Sequence, residues 1–247
     1  MAALEVKGVT FSYDNVKTVL KDINLTLHDG ELVSLLGVSG GGKTTLFNII
    51  AGLNKPRQGE VLLNGQNIIG QPGQVSYMLQ KDMLLPYRTV VDNVALPLII
   101  RGVKKKEARR IASEHFEQFG IEGTQKKYPA ELSGGMKQRA ALLRTYLFSA
   151  EVALLDEPFS ALDTLTKSEM HRWYLDVMSK IKLSTLFITH DIDEAILLSD
   201  RIYLLCGGTL SDEIVIEEPK PRPRDFNLTD RFLQYKRTII SQLEEIK

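Results

Sequence analysis

Gly37-Val38-Ser39-Gly40-Gly41-Gly42-Lys43-Thr44 follows directly on the apolar run Leu32-Val-Ser-Leu-Leu36 and leads into Thr45-Leu-Phe-Asn-Ile-Ile-Ala51. The order is buried strand, glycine turn, helix, and the chemistry it suits is capture of a phosphate chain. Consecutive backbone N–H groups can turn inward on an anion where no Cβ blocks the dihedrals this needs. The helix start adds about half a positive charge and several unpaired donors. Lys43 would reach the outer phosphates, and the Thr44 hydroxyl would ligate Mg²⁺. The plain alternative is a strand-to-helix turn that carries Lys-Thr by chance.

Three further positions could act on a bound phosphate. Asp156 and Glu157 end the apolar run Val152-Ala-Leu-Leu155. The carboxyl ends of strands in an open α/β sheet are where ligands bind. Asp156 would hold Mg²⁺ through water, and Glu157 would polarise the attacking water. His190 ends a second apolar run, Thr185–Thr189, where it could touch the outer phosphate or orient water. Ser133-Gly134-Gly135 opens another helix-like stretch. It reads equally as a second anion site and as a simple N-cap. One chain with two such turns suggests two copies facing head to tail, each lending one turn to a shared nucleotide.

The elements that must position these residues are legible as periodicities. Leu4, Val6, Phe11 and Tyr13, then Ile23, Leu25 and Leu27, follow a period of two and predict strands with one wet face. Gly59–Gly65 predicts a short strand closed by Asn-Gly, and Val75, Tyr77 and Leu79 predict another. Residues 83–149 read as helical without a strand. Lys104–Phe119 forms one helix stopped by Gly120 on this reading, and Gly134–Phe148 a second. The basic run Lys104-Lys-Lys106 with Arg109 and Arg110 reads as a solvated helix face. Strands return at Val152–Asp156 and Thr185–Thr189, with a helix at Leu165–Ile181 between them. Ile202–Cys206 and Thr209–Ile216 form a hairpin about Gly207-Gly208. Pro219–Arg224 predicts a stiff extended linker before a helix over Asp230–Glu245. The expected architecture is a parallel α/β core with an inserted helical block.

Composition narrows the function classes. Thirty-one basic residues balance 31 acidic ones, so no whole-molecule field draws nucleic acid. A single cysteine, Cys206, excludes an intrachain disulfide and fits a reducing compartment. No apolar stretch approaches the roughly 18 residues of a membrane span, so a membrane role requires a partner.

The ordered motifs resemble the ATP-binding subunit of ABC transporters. They are the loop Gly37–Thr44, Gln80 of Met78-Leu79-Gln80, Leu132-Ser-Gly-Gly135, Val152–Glu157, Ser160-Ala-Leu-Asp163 and Thr189-His190-Asp191. The resemblance covers nearly the whole chain. It implies a P-loop NTPase fold: a RecA-like core with an antiparallel β subdomain and an inserted helical subdomain. The cassette would span 1–220, with the core at 1–82 and 150–220 and the helical part at 83–149. A linker and short helix would fill 221–247. It also implies an ATPase that forms a homodimer on ATP. Tyr13, by periodicity a strand residue, would stack on adenine, and Thr45 would join the nucleotide contacts. Gln80 would sense Mg²⁺ and the γ-phosphate, and Asp163 would bridge subunits. Met83–Val94 looks like a docking surface for permease subunits.

Leu84-Leu-Pro86, Asp92–Pro97 and Pro221–Asp225 resemble the nitrate/sulfonate/taurine importer ATPases, and thiamine-precursor importers share them. The implied solute is a small organic or inorganic anion, brought by a solute-binding protein, with this chain on the cytoplasmic face of the membrane. Exporter ATPases share the catalytic motifs. Soluble ABC ATPases that act on nucleic acid or ribosomes usually carry two cassettes or a long coiled coil, and neither is present.

Overall fold

The computed structural model describes residues 2–14, 17–38, 40–148, 151–181, 183–211 and 213–245. Ser39, named above in the phosphate loop, lies outside the described residues. In chain order the elements begin with β1 (Ala2–Ser12), β2 (Thr18–His28), β3 (Leu32–Leu36), α1 (Lys43–Ile50), β4 (Gln58–Leu63), β5 (Gln66–Asn67) and β6 (Ser76–Met78). The middle holds α2 (Val90–Val94), α3 (Leu96–Ile100), α4 (Lys105–Glu114), α5 (Gly134–Phe148), β7 (Val152–Asp156) and α6 (Thr164–Ile181). The last part holds β8 (Ser184–Thr189), α7 (Ile192–Leu198), β9 (Arg201–Cys206), β10 (Thr209–Leu210), β11 (Ile214–Val215) and α8 (Asp230–Glu245).

The chain divides into two compact units, residues 1–75 with 182–247, and residues 76–181. The first contains an antiparallel sheet in the order β2-β1-β4-β5. It also contains parallel strands, with β3 paired to β8 on one side and to β9 on the other. β3 is buried at every position, as a strand covered on both faces must be. The expected second hairpin strand is two short pieces: β10 pairs with β9 at Cys206 and Leu205, and β11 at Ile202 and Arg201. The Ser211 hydroxyl takes the Leu204 N–H between them, at 3.2 Å, which interrupts the ladder.

The segment Pro219–Arg224 is not a spacer. The Arg222 guanidinium donates to the carbonyls of Ile196, Leu197 and Ser199 at 2.7, 2.8 and 2.6 Å. Those carbonyls close the end of α7, where no helical partner remains. Lys220 pairs with Asp200 at 2.8 Å. These contacts deliver α8 to the core, where Phe226, Phe232 and Ile239 pack with Leu36, Ile196, Ile202 and Leu204.

The second unit pairs β6 with β7 in parallel. Among the described residues from 83 to 148 there are helices and no strand. The helix expected over Lys104–Phe119 ends at Glu114. His115 and Phe116 bond back to Ala112 and Ser113, i to i+3, and tighten the chain into turns. Phe116 and Phe119 stay buried, so the apolar spacing outlasts the α-helix that it suggested. The basic face is neutralised locally. Arg109 pairs with Asp92 at 2.6 Å, and Arg110 with Glu107 at 2.7 Å and with Glu114. The first pairing holds the Asp92 carboxyl below the usual carboxylate range.

Ile239 on α8 is fully buried. Ile239→Ala should lower the unfolding free energy by about 3 kcal/mol, read from urea denaturation. A cost below about 1 kcal/mol, as at a surface site, would show that α8 does not share the core.

Candidate functional site

In the first unit, the phosphate-loop residues and His190 leave one sheet edge together. The register pairs Leu36 with Thr189, so the chain passes from β3 into Gly37 where its neighbour β8 passes into His190. His190 is exposed there. The loop is shaped by lack of space. A Cβ on Gly37 would lie 2.1 Å from the Leu205 carbonyl oxygen on β9. Gly42 caps α1 at φ 100°, a conformation that L side chains rarely adopt.

Lys43 is only 7% exposed. Its ammonium donates to the Gly37 and Val38 carbonyls at 2.8 and 3.0 Å. The charge is thus drawn back over the loop that leads to it. Thr44 is exposed in the first turn of α1, and Gly40 and Val38 are exposed on the loop. Gly41 donates its N–H to the Val38 carbonyl at 3.2 Å. Tyr13 lies just beyond β1 with its ring 66% exposed. It packs edge-on to Phe11, and its hydroxyl shares a 3.0 Å hydrogen bond with Thr45 Oγ1. The exposed ring next to the first turn of α1 leaves a face open for stacking.

In the second unit, Asp156 is the last residue of β7 and is buried. Glu157 follows at φ 46°, a left-handed backbone that is unusual for a side chain of this size. Its carboxylate accepts from Gln80 Nε2 at 3.1 Å. Gln80 is exposed, two residues beyond β6. The structure therefore gathers Gln80, Asp156 and Glu157 at one place. The Ser133 hydroxyl accepts the Met136 N–H at 3.3 Å, so it does cap α5. Ser133 and Gly134 are nonetheless exposed, and Gly135 is half-buried. The Asp163 carboxylate accepts the Thr166 N–H at 3.1 Å, and bonds to Thr166 hold it below its ordinary range.

Several residues beside these positions are not distinguished by sequence spacing. Tyr77 reads from sequence only as a strand residue. The register pairs it with Leu154, two residues before Asp156 and therefore on the same face. Burial first, then the Asp156 carboxylate beside it, raises its phenol well above the ordinary value. Arg144 of α5 forks onto the carbonyls of Met83 and Asp82 at 2.8 and 2.5 Å. Burial lowers its pKa from the ordinary arginine range. Asn93 is fully buried and donates to the carbonyls of Leu85, Arg88 and Thr89 while accepting the Leu85 N–H at 2.6 Å. The 83–94 segment is consequently divided. Leu84, Val90, Val91 and Val94 are packed, and Met83 and Tyr87 are exposed.

A family described as ABC transporter matches residues 20–160 of the chain. The formylaminopyrimidine import ATP-binding protein of Halalkalibacterium halodurans is 41% identical over 96% of this chain and 92% of its own length. The nitrate import ATP-binding protein of a Synechocystis species is 38% identical over 91% of this chain and 87% of its own. A dimeric ATP-binding cassette solved in a post-hydrolysis state with ADP and Pi superposes with a TM-score of 0.73. It is 29% identical and covers 87% of this chain and 100% of its own.

The backbone at Glu157 can be tested apart from its chemistry. A left-handed residue with a Cβ costs about 1–2 kcal/mol relative to glycine, offset partly by the looser unfolded chain that glycine gives. Glu157→Gly should therefore be about 1 kcal/mol more stable than Glu157→Ala by thermal or chemical unfolding. An alanine variant as stable as the glycine one would contradict a strained conformation.

Proposed function

This chain belongs to the ABC transporter ATP-binding family and is an ATPase, and on that premise we propose that it energises the import of a small organic or inorganic anion such as a sulfonate or nitrate. The observation that carries the ATP-driven part is the Gly37–Thr44 loop, with the Lys43 ammonium buried on the carbonyls of Gly37 and Val38. The relative named for nitrate import supports the choice of solute. A second reading, import of an aminopyrimidine, is supported by the relative named for formylaminopyrimidine import.

The proposed division of labour rests on the resemblance of the motifs and, for the described residues, on the setting of each. Backbone amides at Gly37, Val38, Ser39, Gly40, Gly41 and Gly42 and the Lys43 ammonium bind the phosphates, and Tyr13 stacks on adenine beside Thr45. Thr44 and Asp156 would hold Mg²⁺, Asp156 through water. Among the described residues no group of three or more His, Cys, Asp or Glu side chains could hold a metal. One carboxylate and one hydroxyl completed by phosphates and water is the ligand habit of Mg²⁺. When bound, it would supply charge neutralisation across the outer phosphates. Glu157 polarises the water that attacks the γ-phosphorus and displaces ADP. Gln80, hydrogen-bonded to Glu157, orients it toward the γ-phosphate, and His190 contacts the same group. Ser133, Gly134 and Gly135 complete the site from a second copy, so ATP closes a homodimer.

Closure matters because of the dielectric. Two unit charges about 4 Å apart gain roughly 1 kcal/mol in bulk water and about 4 at an intermediate dielectric. Excluding water is therefore worth more than adding one charge. Exposed Met83 and Tyr87 fit the docking of permease subunits, which would convert closure into transport for a solute-binding protein's cargo. No helix among the described residues is long and apolar enough to cross a membrane. The place that fits an import ATP-binding subunit is peripheral, on permease subunits at the cytoplasmic face of a membrane.

Glu157→Gln should bind ATP, lose at least about a hundredfold in turnover, and accumulate dimer in light scattering. Turnover near wild type would remove Glu157 from the chemistry. Lys43→Ala should weaken ATP binding at least about tenfold in calorimetry; unchanged affinity would contradict the loop's role. Transport assayed with this chain assembled on its permease subunits and labelled nitrate, sulfonate or aminopyrimidine separates the two solute readings.

A further inference from the structure

The segment around His190 is held more tightly than the start of a seven-residue helix requires. Asp191 is the N-cap of α7 and its carboxylate accepts the Glu194 N–H at 3.2 Å. The Asp191 N–H in turn donates to Thr189 Oγ1 at 3.0 Å. The Thr189 hydroxyl donates to the Glu194 carboxylate, which closes the circuit. A hydroxyl has one proton to give and lone pairs to receive, so Thr189 serves both bonds at once. The three residues form a ring of hydrogen bonds, and His190 is the residue it encloses.

Helix capping explains only part of this. In an ordinary capping box the glutamate three residues into the helix turns back to the N-cap residue's own N–H. Here the circuit runs on through the hydroxyl of Thr189, on the far side of His190. Thr189 and Glu194 are 1% and 3% exposed, while His190 between them is exposed. Burying a glutamate carboxyl is costly unless its bonds are made, and a helix start could be capped by Asp191 alone. Thr189 is also the last residue of β8 and is in register with Leu36, immediately before the phosphate loop. The peptide group on the far side of His190 is therefore tied, through the Asp191 N–H, to the last side chain of the strand that carries it.

We propose that Glu194 is the positioning residue for His190: through the Thr189 hydroxyl and the Asp191 N–H it holds the imidazole's backbone at the edge where β3 enters the phosphate loop. The role rests on the reading of His190 as a γ-phosphate contact. A misplacement of the order of 1 Å costs a reaction about a hundredfold, so the ring acts on turnover and leaves nucleotide affinity to the loop.

The test is a double-mutant cycle on the purified protein with ATP and Mg²⁺. Glu194→Ala should lower kcat about tenfold or more with KM for ATP nearly unchanged. Glu194→Gln, whose amide oxygen still accepts from Thr189, should recover most of that loss. Thr189→Val, close in shape but lacking the hydroxyl, should repeat the Glu194→Ala effect and serves if the alanine variant folds poorly. In a His190→Ala background, Glu194→Ala should cost nothing further, because the two act as one unit. Losses that multiply in the double variant would overturn the proposal, as would a folded Glu194→Ala or Thr189→Val enzyme with full turnover. Full turnover of His190→Ala alone would instead remove the premise, and the role of Glu194 with it.

Discussion

The rest of the molecule depends on one constraint: a buried ammonium and a set of backbone amides must stand ready at a strand end where there is no room for a side chain. Lys43 satisfies its charge on the carbonyls of Gly37 and Val38. Gly37 lies so close to the Leu205 carbonyl that only a missing Cβ allows it. That closeness exists because β9 pairs with β3 in parallel, so both strands end at the same edge. β3 is buried throughout, which holds the loop's first residue still. A polyanion is best held by donors that need not reorganise when it arrives. On the proposed reading, the sheet provides this immobility for the loop, and the Lys43 ammonium has only to turn from the Gly37 and Val38 carbonyls to a phosphate.

The second unit shows the converse device, carboxylates kept near one another at a cost. Asp156 is buried at the end of β7, and Glu157 follows in a left-handed conformation. Strain of that kind persists only where neighbours over-determine it, and it concentrates at functional positions. Gln80 is one such neighbour, hydrogen-bonded to the Glu157 carboxylate. Beside Asp156, the Tyr77 phenol stays protonated and can donate to a carboxylate that has little water around it. Stability is lost locally so that two carboxylates project where a strand end is otherwise quiet.

What was legible in the sequence is what short-range chemistry determines. The strand–turn–helix around Gly37–Thr44, the run Val152–Asp156 and the helix Gly134–Phe148 could be read because each is written in contiguous residues. The end of α4 was not, because Phe116 and Phe119 keep helical spacing while i to i+3 bonds replace the helix. Pro219–Arg224 has the composition of a spacer, yet Arg222 finds the open end of α7 more than 20 residues away. Tyr77 and Arg144 were equally hidden. Their partners are set by strand register and by helix packing, and no local pattern marks a tyrosine two positions from an aspartate across a ladder. Tyr13 fits the period of β1, yet the strand stops at Ser12, so the next residue is free of the pleat.

The division of residues 83–94 into packed and exposed halves bears on how a partner would be felt. Asn93 spends its side chain on the carbonyls of Leu85, Arg88 and Thr89, which leaves Met83 and Tyr87 on a braced turn rather than a loose loop. Arg144 ties the Asp82 and Met83 carbonyls to α5. That helix begins at Gly134, ten residues earlier, or about 15 Å along its axis. A helix transmits displacement along its axis because every turn is hydrogen-bonded to the next. On the docking reading, a push at Met83 and a clasp at Ser133–Gly135 act on two ends of one rigid rod.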